Sequence, residues 1–475
     1  MNFVFYDLET TGKNKDWSQI IQFGSICTNE NLDEIDRYES KCRLKTGVVP
    51  EPEALFVNNN SINDLYKVNL SHYELIKEIK SKFKEWSPAI FIGFNSIQFD
   101  EEILRKSFFK SLLDTYITQL DGNKRADLMN IARTTSFYFN DTLKTLINNK
   151  GKKSFRLEDL AEANQINHQA HDAMGDVLAT LKLAVIIKDK QSNLWEQCIH
   201  NSYKKDVENY VFQNKIFCLN EFNFGQMNAY ALTYLCMHPK YGYLQCYDLT
   251  IDPIEIINLN YADLKKRIKE KPILIKTIPH NKHPLIFDKS YLHNIDKFKK
   301  INFSLLNDRA DLIKSNEDFK KRLVLILNEQ AEEKELQSSQ LEILAEESLY
   351  YGGFPSFKDK IVMEEFHNVS WLEKFKISNK FEDERFKYFA QKIIYEESPE
   401  TLPKEIFNKI HKTIANQILT LEDVNWFTLP KAYKQIDDLR VKFLEKNEEE
   451  KLNFLLEINN YLEKMQKTYE PAKYL

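Results

Sequence analysis

Asn2-Phe3-Val4-Phe5-Tyr6-Asp7-Leu8-Glu9-Thr10-Thr11-Gly12 is the stretch from which the rest of the chain is best read. Asn2 to Leu8 is short, apolar and aromatic, and it runs into Thr-Thr-Gly, which predicts a β-strand ending in a turn. Residues two apart on a strand share a face, so Asp7 and Glu9 project side by side at its end. Two carboxylates held that close repel each other unless a cation lies between them. Oxygen-only ligation suits Mg²⁺ or Mn²⁺ better than Zn²⁺. Taken alone, the same Asp-x-Glu also fits an exposed strand end with no metal.

Two further segments carry acids. Ala89-Ile90-Phe91-Ile92-Gly93-Phe94 reads as a buried strand after Trp86-Ser87-Pro88, and Glu101 to Phe109 as a helix with apolar positions on one side. Asp100 falls at that helix's N-terminus, where an N-cap role competes with a functional one. Further on, Val177, Leu178, Leu181, Ala184 and Val185 form an apolar stripe at helical spacing. Asp176 therefore lies on the first turn of a helix packed on the core, with Asp172 as its expected N-cap. A carboxylate in that position needs a partner, and a metal is a good one. His171 precedes the helix, close to the proposed ligands but not among them.

Composition sets the frame. A chain of 475 residues with 43% hydrophobic content is too long for one ordinary core and predicts two to three folded domains. The formal charge of −5 argues against coating nucleic acid through bulk positive charge, but it leaves room for a local basic groove. Cys27, Cys42, Cys198, Cys218, Cys236 and Cys246 form no Cys-x-x-Cys pair and read as reduced thiols of a cytoplasmic protein. No apolar run approaches the roughly 18 residues of a membrane span, and no signal peptide is expected.

Residues 1 to about 190 alternate strands and helices. From 191 to 345 the reading is mixed. Strands are expected at Asn228 to Met237, Gly242 to Leu249 and Pro272 to Ile278. From 346 to 475 the chain reads as mainly helical, with Asn447 to Glu450 on a solvated helix face. Lys144, Lys150, Lys152, Lys153 and Arg156 make a basic stretch before the His motif. Basic side chains neutralise phosphates, and aromatics stack on unpaired bases.

These motifs resemble the DEDD superfamily of 3′→5′ exonucleases. The His171-x4-Asp176 spacing is that of its DEDDh branch, and the match narrows to the bacterial exodeoxyribonuclease I family. Ser154 to Asn164, His171 to Thr180, Pro279 to Leu285 and Ser348 to Phe354 are all similar to segments of that family, in the same order. The resemblance implies an α/β ribonuclease-H-like exonuclease domain (1–190). An SH3-like α+β domain with helical insertions (191–345) and a mainly helical C-terminal domain (346–475) would follow. It implies two Mg²⁺ ions, with Mn²⁺ as a substitute, held by Asp7, Glu9, Asp100 and Asp176, and His171 as general base. The implied reaction is stepwise 3′→5′ hydrolysis of single-stranded DNA to 5′-mononucleotides, in DNA repair and recombination. Arg105, Tyr116, Arg125, Arg133, Phe155 and Arg156 fall where the family contacts the strand, Glu9 is also placed at the substrate, and Lys282, with Asn281 and His283, is expected to reach over it. For any one of these arginines a surface salt bridge is the competing reading, and for the 281–283 segment a simple hairpin turn. Where the family has an aromatic near Leu120, this chain has none. The implied partners are single-stranded DNA and the C-terminal tail of single-strand DNA-binding protein, with no membrane and a monomeric state.

Two rivals stand beside this. An RNA-trimming or proofreading DEDDh exonuclease would share the acids but would need little beyond residue 190. A nuclease-like scaffold that had lost catalysis would be expected to lack a carboxylate, and none is missing.

Overall fold

The structure is a computed structural model and describes residues 1–338 and 342–474. The first sheet consists of β1 (Asn2–Thr10), β2 (Ile20–Thr28), β3 (Glu34–Lys41), β4 (Ala89–Gly93) and β5 (Lys124–Asp127), in the order β3-β2-β1-β4-β5. β2 is antiparallel to β1 and β3, while β4 is parallel to β1 and β5. This mixed sheet, with helices on both faces, is the ribonuclease-H-like arrangement that the resemblance implied. β1 runs further than Asn2 to Leu8, because its pairing with β2 continues through Glu9 and Thr10. Asp7 and Glu9 thus lie inside the pleat rather than beyond it.

The alternation of β1 divides the core. Val4, Tyr6 and Leu8 pack with Phe83, Phe91 and Phe108 on one face. Phe3 and Phe5 pack on the other with Val177, Leu181 and Ala184 of the helix Ala173–Lys190. Asp7 and Glu9 continue that second row, so they point toward the helix that carries Asp176. The helix of the second segment spans Asp100–Lys110, and Phe99 rather than Asp100 occupies its N-cap position. The capping role weighed for Asp100 is therefore set aside.

The second sheet joins β6 (Phe217–Asn223), β7 (Gln226–Met237), β8 (Leu244–Asp248), β9 (Ile275–Ile278) and β10 (Leu285–Asp288), in the order β10-β6-β7-β8-β9 with antiparallel pairing throughout. β9 is shorter than the expected Pro272 to Ile278; Pro272 has no N–H to donate to a ladder. The core does not break at residue 190. Trp195, on the next helix, packs against Phe3 with ring centroids 6.0 Å apart. The C-terminal helices enclose their own core, which also takes in Ile21, Leu55, Tyr73 and Phe109 of the first unit. Asn447 is not on a helix face: helices Leu429–Glu445 and Glu449–Tyr469 meet there in a turn, with Asn447 at φ 53. All six cysteines are free thiols. Among the described residues, no helix is long and apolar enough to cross a membrane.

One buried network ties these units together. Glu101 Oε1 accepts hydrogen bonds from Arg105 Nη2 at 2.9 Å, Arg125 Nη1 at 3.1 Å and Thr118 Oγ1 at 2.5 Å, and Tyr6 donates to Oε2 at 2.9 Å. Arg125 then donates to the Asn281 carbonyl in the second unit at 2.7 Å, and Arg105 to the Tyr350 hydroxyl in the third at 3.1 Å. Burial pushes the Glu101 carboxyl up, but the Arg125 and Arg105 guanidiniums outweigh it and hold the group below its ordinary value. Removing one member of a buried ionic cluster leaves the others uncompensated. Glu101→Ala should therefore lower stability by about 3–5 kcal/mol in denaturant unfolding. A loss below about 1 kcal/mol would show that the two guanidiniums find other partners.

Candidate active site

The first two acids come from β1. Asp176 is brought to them because Gly24 on β2 lets the helix approach: a Cβ there would lie 2.8 Å from the carbonyl carbon of Ala173 and from the Met174 nitrogen. Ligand oxygens of Asp7, Glu9 and Asp176 all lie within 4.8 Å of one another. Asp100 stands outside that set, and its buried carboxylate accepts a hydrogen bond from the Leu8 N–H.

The electrostatics are one-sided. Burial raises the Asp7 carboxyl well above its ordinary value, and Asp100, Asp176 and Glu9 raise it further. Glu9 is pushed up to about 8 by burial, then by Asp176 and Asp100. Asp100 is pushed up to about 8 by burial, then by Asp127 and Asp176, against the pull of backbone hydrogen bonds. Among the described residues, no Lys or Arg forms an ion pair with any of the four. A largely half-buried, all-oxygen acid cluster without its own Lys or Arg fits a divalent metal ion of the hard, oxygen-seeking class.

Two histidines lie in the loop before Asp176. His168 Nε2 is hydrogen-bonded to Asp176 Oδ1 at 2.5 Å. His171 is half-buried in a left-handed turn, φ 62, leading into the helix. Asp172 is the expected N-cap, accepting from the Gly175 N–H at 3.0 Å and also from Gln22 Nε2 at 2.8 Å. The chain is close here as well: a Cβ on Gly175 would lie 2.3 Å from the Gln169 carbonyl oxygen. That contact seats the loop on the helix and brings His168 to Asp176. Sequence reasoning passed over His168, because the spacing to Asp176 pointed to His171 and no local pattern marked His168.

It also passed over Asp127. This buried acid accepts from the Asn95 N–H at 3.1 Å and the Ile97 N–H at 3.4 Å, which shapes the loop leading to Asp100. It also caps the next helix through the Met129 N–H at 3.1 Å. Burial pushes its carboxyl up to about 6, against those backbone donors. Opposite it, the His283 ring is buried: Nδ1 accepts from the Asp127 N–H at 3.1 Å, which leaves Nε2 to donate to the Cys198 carbonyl at 2.8 Å. His283 therefore does not reach over a strand of substrate; it fastens the second unit to the first. Burial lowers its pKa to about 4, so it stays neutral.

The expected strand-contact residues fall into two groups. Arg105 and Arg125 are buried in the Glu101 network, and Tyr116 lies under the Arg105 guanidinium at 4.8 Å. Arg133, Phe155 and Arg156 instead line an open cleft of about 1030 Å³ that also reaches Asp7 and Asp176, while Glu9 faces a neighbouring pocket. In that cleft the Arg133 guanidinium lies 3.9 Å from the Phe222 ring centroid, and Phe155 meets Phe222 edge-on at 6.2 Å. Arg156 is exposed beside Glu158, with exposed Lys150, Lys152 and Lys153 before it. Lys282 and Leu120 are exposed on their loops.

Comparison with known proteins gives a consistent answer. The model of the exonuclease family matches residues 4–184, and that of the exonuclease I C-terminal domain matches residues 343–465. Exodeoxyribonuclease I of Buchnera aphidicola subsp. Baizongia pistaciae is 28% identical over 382 residues, which covers 78% of each chain. Escherichia coli exonuclease I in complex with a dA16 oligonucleotide superposes with a TM-score of 0.81 at 22% identity, covering 98% of this chain and 99% of that one. A complex of SSB and exonuclease I with the inhibitor CFAM does so equally, with a TM-score of 0.81 at 22% identity over the same shares.

The raised acids set the sign of a pH effect. Glu9 and Asp100 hold their protons up to about pH 8 in the folded, metal-free protein, against ordinary values of 4.5 and 3.8. The folded state binds more protons across that window, so the stability they contribute is complete below about pH 4 and is lost as the pH rises through 8. A divalent cation replaces those protons. The rise in Tm on adding Mg²⁺ to chelator-treated protein should grow from pH 5 to pH 8, reaching about 5 °C. A Tm gain independent of pH, or none, would remove the case for a metal held by this cluster.

Proposed function

Because the chain belongs to the exodeoxyribonuclease I family, and is thus a 3′→5′ exodeoxyribonuclease, we propose that its substrate is single-stranded DNA, shortened from the 3′ end to 5′-mononucleotides. The observation that carries this is the cleft itself, in which an uncompensated acid cluster adjoins exposed lysines and aromatic rings. Acids of that kind suit a metal-assisted phosphodiester hydrolysis. Lysines suit a phosphate backbone, and rings suit bases that are not already stacked in a duplex.

In this reading Asp7, Glu9, Asp100 and Asp176 hold two ions of the Mg²⁺ or Mn²⁺ kind. When bound, these supply positive charge and Lewis acidity where the phosphodiester is cleaved. His171 takes the proton of the attacking water as general base. His168 orients the Asp176 carboxylate through the bond between them. Arg156, Phe155, Arg133 and Lys282 border the strand, with Glu9 at its terminal nucleotide. Arg105, Arg125 and Tyr116 act on the strand by fixing the cleft wall.

The same reading extends to the whole chain. Residues 1–190 are the nuclease unit, 191–345 an SH3-like unit, supported by its five antiparallel strands, and 346–475 the helical unit. The enzyme works as a cytoplasmic monomer in DNA repair and recombination, with the acidic tail of single-strand DNA-binding protein as partner.

The test is digestion of matched 3′- and 5′-labelled oligonucleotides with Mg²⁺, offered as single-stranded DNA, duplex DNA and single-stranded RNA. Mononucleotides should leave the 3′ end of single-stranded DNA while duplex is spared. Asp7→Ala or Asp176→Ala should reduce the rate by at least about 10³-fold with native circular dichroism. Preference for RNA would move the protein to a trimming role. Near-normal turnover in either variant would sink the site assignment.

A further inference from the structure

β6 and β7 are joined by the shortest kind of hairpin. Asn223 pairs with Gln226, which leaves Phe224 and Gly225 as the loop. Both have positive φ, 55 and 76, the pattern of a type I′ turn. Such turns favour Asn or Asp followed by Gly, because the first loop residue must enter the left-handed region. Gly225 obeys the rule and Phe224 does not. A bulky aromatic residue in the left-handed region is a true outlier. Its ring gains nothing from packing, since Phe224 is 91% exposed. The fold alone thus gives two reasons for a different residue here and none for this one. Strain of this kind, held by its surroundings, points to function.

The surroundings do hold it. Lys152 Nζ donates to the Phe224 carbonyl at 3.0 Å, across from the basic loop. Phe222, two residues back, is clamped under the Arg133 guanidinium. The tip is therefore fixed from two sides, and it lines the same cleft as Asp7 and Asp176.

We propose that Phe224 is a base-stacking residue, which receives one unpaired base of the strand whose 3′ end lies at the acid cluster. This rests on the single-stranded DNA reading above and adds a residue and a role to it. A ring stacks on any base, so the contact would hold the strand without selecting sequence. A base already paired in a duplex would offer the ring no free face, so the same contact would favour single strands.

Phe224→Asn is the decisive variant, because it restores the residue type that the turn favours and should not lower Tm. We expect its KM for a single-stranded oligonucleotide to rise about tenfold, with the loss falling in KM rather than in kcat. Phe224→Trp should keep KM near the wild-type value. In an Asp176→Ala background, which binds without turnover, its tryptophan emission should be quenched by the oligonucleotide. One abasic position in that oligonucleotide should weaken binding when Phe224 is present and not in Phe224→Asn. A Phe224→Asn enzyme with KM within twofold of wild type and no abasic difference would overturn the proposal. Failure of the wild-type enzyme to digest single-stranded DNA would overturn the underlying reading first, before any variant is compared.

Discussion

Glu101 occupies the mechanical centre of the molecule. Its carboxylate neutralises two buried guanidiniums, and each of these extends to a different part of the chain: Arg125 to the Asn281 carbonyl and Arg105 to the Tyr350 hydroxyl. Tyr6, on the strand that bears Asp7, binds the same carboxylate. The sheet of the first unit, the loop of the second and the start of the third therefore share one charge cluster. Such a cluster adds little net stability compared with an apolar core, but it tolerates one geometry only, because each unpaired member would be a buried charge.

The contrast with its neighbour explains the site. Asp100 and Glu101 are adjacent on one helix and so diverge by about 100°. Glu101 turns to the arginines and is held below its ordinary pKa. Asp100 turns to Leu8 and the other acids and is pushed up to about 8. One acid cluster is compensated from within the chain, and the other is left for a cation from outside. The same division separates the arginines: those near Glu101 join the three parts of the chain, while Arg133 and Arg156 line the open cleft.

The second sheet forms an arm that is fastened to the first unit by a buried contact. His283, neutral and bonded on both ring nitrogens, docks the arm through Asp127, the residue that also shapes the loop to Asp100. Position of the arm and position of Asp100 are thus coupled through one buried aspartate.

Much of this was legible from residue order. The period of two in β1 placed Asp7 and Glu9 on one face, and the period of 3.6 after Asp176 placed that acid on a core-facing helix. These patterns are local, and burial enforces them directly. Other features had no local signature. Asp100 looked like a cap, and it became free for the acid cluster only because Phe99 took the cap position. His168 carried no motif of its own, and only the tight contact at Gly175 set it on Asp176. Arg105 and Arg125 looked like surface cations until Glu101 buried them, and nothing in residue order singled out Phe224, whose backbone angle and exposure belong to the fold. Residue order decided which groups face the core, because side-chain alternation follows from backbone geometry. Only the folded chain decided which charges meet, because partners distant in sequence are chosen by packing and desolvation.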